Sequence, residues 1–254
     1  MKILKYLLFL LLALIVIGFV AVKVMSDPLP EGKSGSEADQ WANQIQQALN
    51  KPAFDTLGYL EWEFFRAWNK YLWDKKRDLA VIEWGENKAI MNLKTQEAII
   101  TTNGEVQSGD KAQSLKAKAW SNWCNDSFWM IAPFKMNDPG TSRAIAETED
   151  GKKGLRITYD SGGVTPGDSY LWLMDDKNIP TGYHMWTSII PVQGMYAGWS
   201  GWESHKGVLL STTHELLGKE VKMKGIKAGQ TLSQMGITRI HLHHYSNKEI
   251  YENY

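Results

Sequence analysis

From Leu57 onward apolar residues recur at every second position in short runs broken by turn signals, and this period constrains the fold most. Residues 59–68, 70–74, 79–84, 89–93 and 98–102 alternate in this way, with KKRD, GEN, KTQE and NGE between them. In a strand, residues two apart share a face, so Tyr71 groups with Trp73, and Ile82 with Trp84. Short strands with close-spaced turns predict an antiparallel meander. The same period returns at 144–148 and 155–159, about the turn Glu149-Asp150-Gly151. It continues at 170–174, 182–188, 196–203, 208–214 and 219–224, with a last alternating piece at 238–245. A sheet of this many strands has to curl, split or close.

Two segments carry the helical period instead. In the first, Ser36 reads as an N-cap, Glu37 and Asp39 fall in the first turn, and Ala38, Trp41, Ala42, Ile45 and Leu49 form one stripe. Pro52 marks its expected end. In the second, Asp110 opens a helix whose face is Ala112, Leu115, Ala119, Trp120 and Trp123, running to residue 125. An apolar strap from Phe128 to Phe134 and the turn Asn137-Asp138-Pro139-Gly140 follow. Helices at two points along a long meander predict an α+β fold: a large curved antiparallel sheet, an unclosed barrel, with helices against its concave face.

Lys2 and Lys5 precede an apolar run from Tyr6 to Val22. With Ile3, Leu4, Val24 and Met25 it reaches the ~20 residues a transmembrane helix needs. Residues 1–25 therefore read as an N-terminal membrane anchor. A cleaved signal is the alternative, but Ala21-Val22-Lys23 is a poor cleavage site and no Cys follows for lipid attachment. The Lys bias predicts a single pass of the inner membrane through residues 3–25, with the body in the periplasm. Residues 26–35, SDPLPEGKSG, read as a linker that lets the body stand off the membrane. The body spans 36–245 as a single domain, and 246–254 form a polar tail.

Twelve Trp residues are far more than a chain of 254 usually carries. Each brings a large apolar area and one N–H that needs a partner. Trp120, Trp123, Phe128, Trp129, Met130, Phe134, Trp172, Met174, Trp186 and Trp199 are the candidate lining of an apolar cavity. The same residues also suit a solid core. Lys and Arg balance Asp and Glu, and the first 25 residues hold three lysines and no acid, so the body is slightly acidic. That argues against a nucleic-acid partner, which needs a basic footprint. A lone Cys124 excludes an intrachain disulfide.

No motif predicts catalysis or a cofactor. The loop SGGVTPGD at 161–168 lacks the Gly-Lys-Ser/Thr ending of a phosphate loop. His214-Glu215-Leu216-Leu217-Gly218 has Gly where a zinc protease needs its second His. Gly198-Trp199-Ser200-Gly201-Trp202 lacks the final Gly of a nucleophile elbow. His241 and His243 would share a strand face and reach one metal, but no carboxylate or Cys completes the set with His244, so no metal site is expected.

The layout resembles the lipoprotein-carrier fold of the periplasmic carrier and outer-membrane receptor of lipoprotein sorting. The shared features are the amphipathic helix before the first strand, the meander, the helical insertion at 110–136 and the second meander, over roughly residues 36 to 224. The strings YLWDKKRDLAVIEWG, NDSFWMIAPFKMNDPGT, YDSGGVTPGDSYLWLMDD and MWTSIIPVQGMYAGWSGWE resemble membrane-anchored proteins of the Bacteroidota lineage, a group with no activity to carry over. The carrier resemblance implies an unclosed half-barrel with acyl chains between helices and sheet, entering here beside the helix at 110–126. The expected function is an envelope protein that binds a lipid or other apolar ligand without catalysis. The alternative is a scaffolding module for another envelope protein, with a filled core and no ligand.

Overall fold

The computed structural model describes residues 2–64, 68–148 and 150–237, with the side chains of Lys2 and Ile3 left aside. The expected strand at 238–245, its histidines and the polar tail lie outside these residues, as do positions 65–67 and Glu149.

Helix α1 (Lys2–Met25) is apolar and exposed on all sides, and among the described residues it alone is long and apolar enough to cross a membrane. Strand β1 (Gly32–Lys33) and helix α2 (Ser36–Ala48) follow. Pro52 does not end a helix here; it starts one. Asn50 adopts a left-handed conformation and its side chain accepts from Ala53 N, capping α3 (Lys51–Thr56). Proline is tolerated in a first turn because the N–H it lacks would have no helical partner.

The first meander is β2 (Tyr59–Phe64), β3 (Asn69–Asp74), β4 (Leu79–Trp84), β5 (Asn87–Asn92), β6 (Ala98–Thr102) and β7 (Glu105–Val106). Helix α4 (Gly109–Ile131) and a 3-10 turn (Ala132–Lys135) lead to the second. It comprises β8 (Thr141–Glu147), β9 (Lys153–Tyr159), β10 (Ser169–Met174), β11 (Pro180–Trp186), β12 (Met195–His205), β13 (Val208–Leu216) and β14 (Lys219–Gly229). Strand β14 pairs with β2, so both meanders join in one 14-stranded antiparallel sheet, and β1 pairs with β8 at one edge. The sheet is not closed. The chain leaves β7 at one edge and reaches β8 near the other, so α4 has to cross the opening between them.

Ring contacts show how strongly the sheet curls. Trp123 on α4 lies 5.5 Å from Trp73 on β3, and Phe128 lies 5.5 Å from Tyr159 on β9. Trp123 and Phe128 are ~8 Å apart along a helix axis. Flat, the seven strand spacings from β9 to β3 would span about 34 Å. Only a sheet wrapped around the helix brings both contacts within reach of five residues. The concave face is one continuous core of alternating inward residues, among them Leu60, Trp62, Tyr71, Ile82, Leu155, Trp172, Tyr183, Trp199 and Leu210. Phe54 of α3 stacks on Phe134 at 4.1 Å and closes the end of this core.

Residues 26–35 are not a free tether. Asp27 N donates to Gln193 O, Trp186 Nε1 donates to Asp27 O, and an Arg156 guanidinium N–H donates to Pro30 O before β1 joins the sheet. The expectation of a stand-off linker fails because polar groups on the outer face capture its backbone. Composition signalled the Pro and Gly but could not show those distant partners.

Candidate functional site

Two regions compete, one on each face of the sheet. The concave region follows from the period-two pattern. Tyr170 and Trp172 on β10, Tyr183 on β11, Trp199 on β12 and His214 on β13 point inward at neighbouring positions. Phe128 and Trp129 of α4 lie on them. Trp172 is 4.8 Å from Tyr183 and 4.9 Å from Trp199, and His214 is 4.4 Å from Trp199 and 5.2 Å from Trp129. Offset and edge-on rings at such spacings fill space.

The filling leaves polar atoms unpaired. The indole N–H groups of Trp62, Trp73, Trp172 and Trp199, the Tyr159 hydroxyl and both ring nitrogens of His214 are buried without a hydrogen-bond partner in the protein. Burial alone drives the His214 pKa down from 6.5 to about 3, so the ring is neutral near pH 7. At the other end, Asp126 of α4 accepts from the Tyr71 hydroxyl at 2.5 Å and from the Asn69 amide at 2.7 Å. Burial raises the Asp126 pKa; burial first, then the nearby Asp126 charge, raises that of Tyr71. This network clamps α4 to β3. Cys124 is half-buried on the same helix and burial pushes its thiol up to about 12, so it is inert at neutral pH.

Of the ten residues expected to line an apolar cavity, Trp123, Met130, Phe134, Trp172 and Trp199 are buried in this core, and Trp120, Phe128 and Trp129 pack on it half-buried. Trp186 is a correction. It shares the outer face with His184, since inward Tyr183 and Met185 alternate with them. Met174, past a bulge in β10, packs at the core margin and also lines the outer cleft.

That cleft has a volume of about 910 Å³, within the range of small-molecule sites. The 26–31 strap forms one wall and the β8–β9 turn another, over Leu173, Met174, His184, Trp186 and Tyr196. Its lining is mostly apolar, with Asp27, Asp150, Lys152 and Lys153 at the rim. Gly182 shapes the floor. A Cβ there would collide with the Tyr196 ring, which lies across it and donates its hydroxyl to Thr181 O at 3.1 Å. His184 Nδ1 sits 2.9 Å from Gly194 O. A carbonyl only accepts, so Nδ1 carries a proton. Asp150 and Lys152 pair at 2.8 Å.

The cleft was missed from sequence because its walls are 120 residues apart and one of them read as linker. The alternation of His184 with Trp186 was the available signal. Among the described residues no group of three His, Cys, Asp or Glu side chains is placed to hold a metal; His241, His243 and His244 lie outside them. No protein-family model and no curated protein matches the chain.

Proposed function

We propose that this is a membrane-anchored envelope protein that binds a lipid or similar amphiphile without catalysis, in the outer-face cleft rather than the concavity. The carrying observation is the ~910 Å³ cleft with an apolar floor and a charged rim, one wall of which is the strap leaving α1. An acyl portion suits Leu173, Met174, Trp186 and Tyr196, and a polar head suits Lys153. A binding role fits because His184 and Tyr196 are held on backbone carbonyls and Asp150 on Lys152, which leaves Lys153 at the rim to meet a polar head. Lys2 and Lys5 at the start of α1 favour a periplasmic body.

The test is mass spectrometry of amphiphiles extracted from the full chain purified in mild detergent. Thr181 is exposed at the cleft, so Thr181→Trp fills the space without entering the core. The native chain should carry an amphiphile and the variant should lose it while keeping native circular dichroism. Finding none in the native chain sinks the binding reading and favours a scaffolding module with a filled core.

A second reading keeps the ligand in the concavity, and the unpaired atoms of His214, Trp172 and Trp199 favour it. Buried polar groups normally have partners, and a ligand head entering under α4 would supply them. Amphiphile retained in Thr181→Trp but lost in Trp129→Ala would move the ligand to that side.

A further inference from the structure

The end of α1 is bound to one particular loop of the domain. Ser26 Oγ donates to Val22 O at 2.7 Å, closing the last helical turn, and the same oxygen accepts from Gln193 N at 3.0 Å. Asp27 N returns a bond to Gln193 O at 3.0 Å. A Cβ at Gly194 would stand 2.6 Å from Asp27 Cβ, so the Asp27 side chain packs directly on the loop backbone there. The loop joining β11 and β12 is therefore held at the foot of the membrane helix.

Its depth follows from helix geometry. The apolar helix ends at Met25, and Ser26 is the next residue, ~1.5 Å further along the axis, where the hydrocarbon gives way to the headgroups. A headgroup layer is roughly 5–7 Å thick on each side of the hydrocarbon core. Gln193 thus lies at headgroup level when α1 spans the bilayer. The loop is Ser188-Ile189-Ile190-Pro191-Val192, and Ile189 is 60% exposed. The Gln193 amide folds back onto Thr187 O and Ile190 O at 3.0 and 2.6 Å, which fixes the loop with Ile189 outward. Ser188 N donates to Asp168 Oδ1 at 2.9 Å, tying in the neighbouring loop, where Val164 is 40% exposed. Asp160 on that second loop is exposed and Lys23 sits on the helix, so the rim carries both signs.

We propose that the β11–β12 loop is a second membrane contact, with Ile189 seated at the headgroup–acyl boundary of the bilayer that holds α1. The domain then leans on the membrane instead of hanging from a tether, and the strap wall of the cleft starts at the lipid surface. This rests on α1 being a bilayer span, as in the proposed function, but not on any ligand in the cleft.

The experiment uses the full chain in phosphatidylcholine nanodiscs containing nitroxide-labelled phosphatidylcholine. An environment-sensitive fluorophore is attached at Ile189→Cys, at Ser204→Cys and at Val16→Cys; the unsubstituted chain sets the Cys124 background. Ser204 lies nine residues along β12 from Met195, ~30 Å from the loop. The expected result is strong quenching at 16 and at least about twofold more quenching at 189 than at 204. Quenching at 16 with none at 189, or equal quenching at 189 and 204, overturns the loop contact and leaves the anchor standing. No quenching at 16 removes the anchor and the loop contact together.

Discussion

His214 offers the most quantitative test of the buried core. Its ring is fully buried on β13, both nitrogens lack partners, and burial alone lowers its pKa from 6.5 to about 3. In the unfolded chain the imidazole binds a proton near pH 6.5; in the fold it stays neutral to about pH 3. The unfolded state therefore binds more protons between these values, so stability rises with pH across this window and is lost as pH falls. Each pH unit below 6.5 costs about 1.4 kcal/mol, so the step from pH 7.5 to pH 5 should cost ~2 kcal/mol through this residue alone. His214→Leu removes the titration at similar volume. At pH 7.5 the variant should be within about 1 kcal/mol of native or more stable, because two unpaired polar atoms disappear. The assay is urea unfolding of both full-length chains in a non-denaturing detergent, followed by near-ultraviolet circular dichroism at pH 7.5, 6 and 5. Other titrating groups act in both chains, and Asp126 acts with the opposite sign, so the difference between chains isolates position 214. An equal loss in the two chains would refute the reasoning, since His214 would then have water or a partner.

Further expectations concern the clamp, the strap and one close backbone approach. Asp126→Ala removes the closest acceptor of the Tyr71 hydroxyl and the Asn69 amide, leaving them the longer bonds to Asn122 O and to each other, and should cost about 2 kcal/mol in the same urea assay. Because burial raises the Asp126 pKa, the native chain loses stability as pH rises from the ordinary carboxylate range through that raised value, and Asp126→Asn should abolish that slope. Trp186→Phe deletes the bond to Asp27 O and should loosen the strap by about 1 kcal/mol, seen as roughly fivefold faster proteolysis within residues 26–31. Gly58→Ala drives a Cβ into the Gln230 backbone, which cannot swing aside as a side chain could, and should lower the urea midpoint by the equivalent of ~2 kcal/mol or more.

How legible a feature is in the sequence depends on the range of the interaction that makes it. The strands of the two meanders were legible because alternation is a local consequence of burying one face; the inward set Leu60, Trp62 and Phe64 is written directly in β2. Helix α4 was legible through the face from Ala112 to Trp123, though it continues to Ile131 because the apolar strap packs as a further helical turn. Pro52 misled because one residue type marks both a helix end and a helix start, and the deciding group, the Asn50 side chain, acts through a left-handed backbone that the sequence does not advertise. Trp186 misled because its aromatic character suggested the concave wall while its strand parity put it outside. Parity relative to Tyr183 was the better guide.

By itself the sequence determined an α+β chain with an apolar N-terminal helix, two meanders and a helix between them, because period, turn residues and run length are local properties. Tertiary structure alone decided that β14 returns to β2, that the sheet curls round α4, and that residues 26–31 form a strap over an outer cleft. Each depends on hydrogen bonds or ring contacts between residues far apart in the chain, such as Trp186 with Asp27 and Trp123 with Trp73. Such pairings leave no period or motif in the segments that make them, so only the folded chain reveals which partners win.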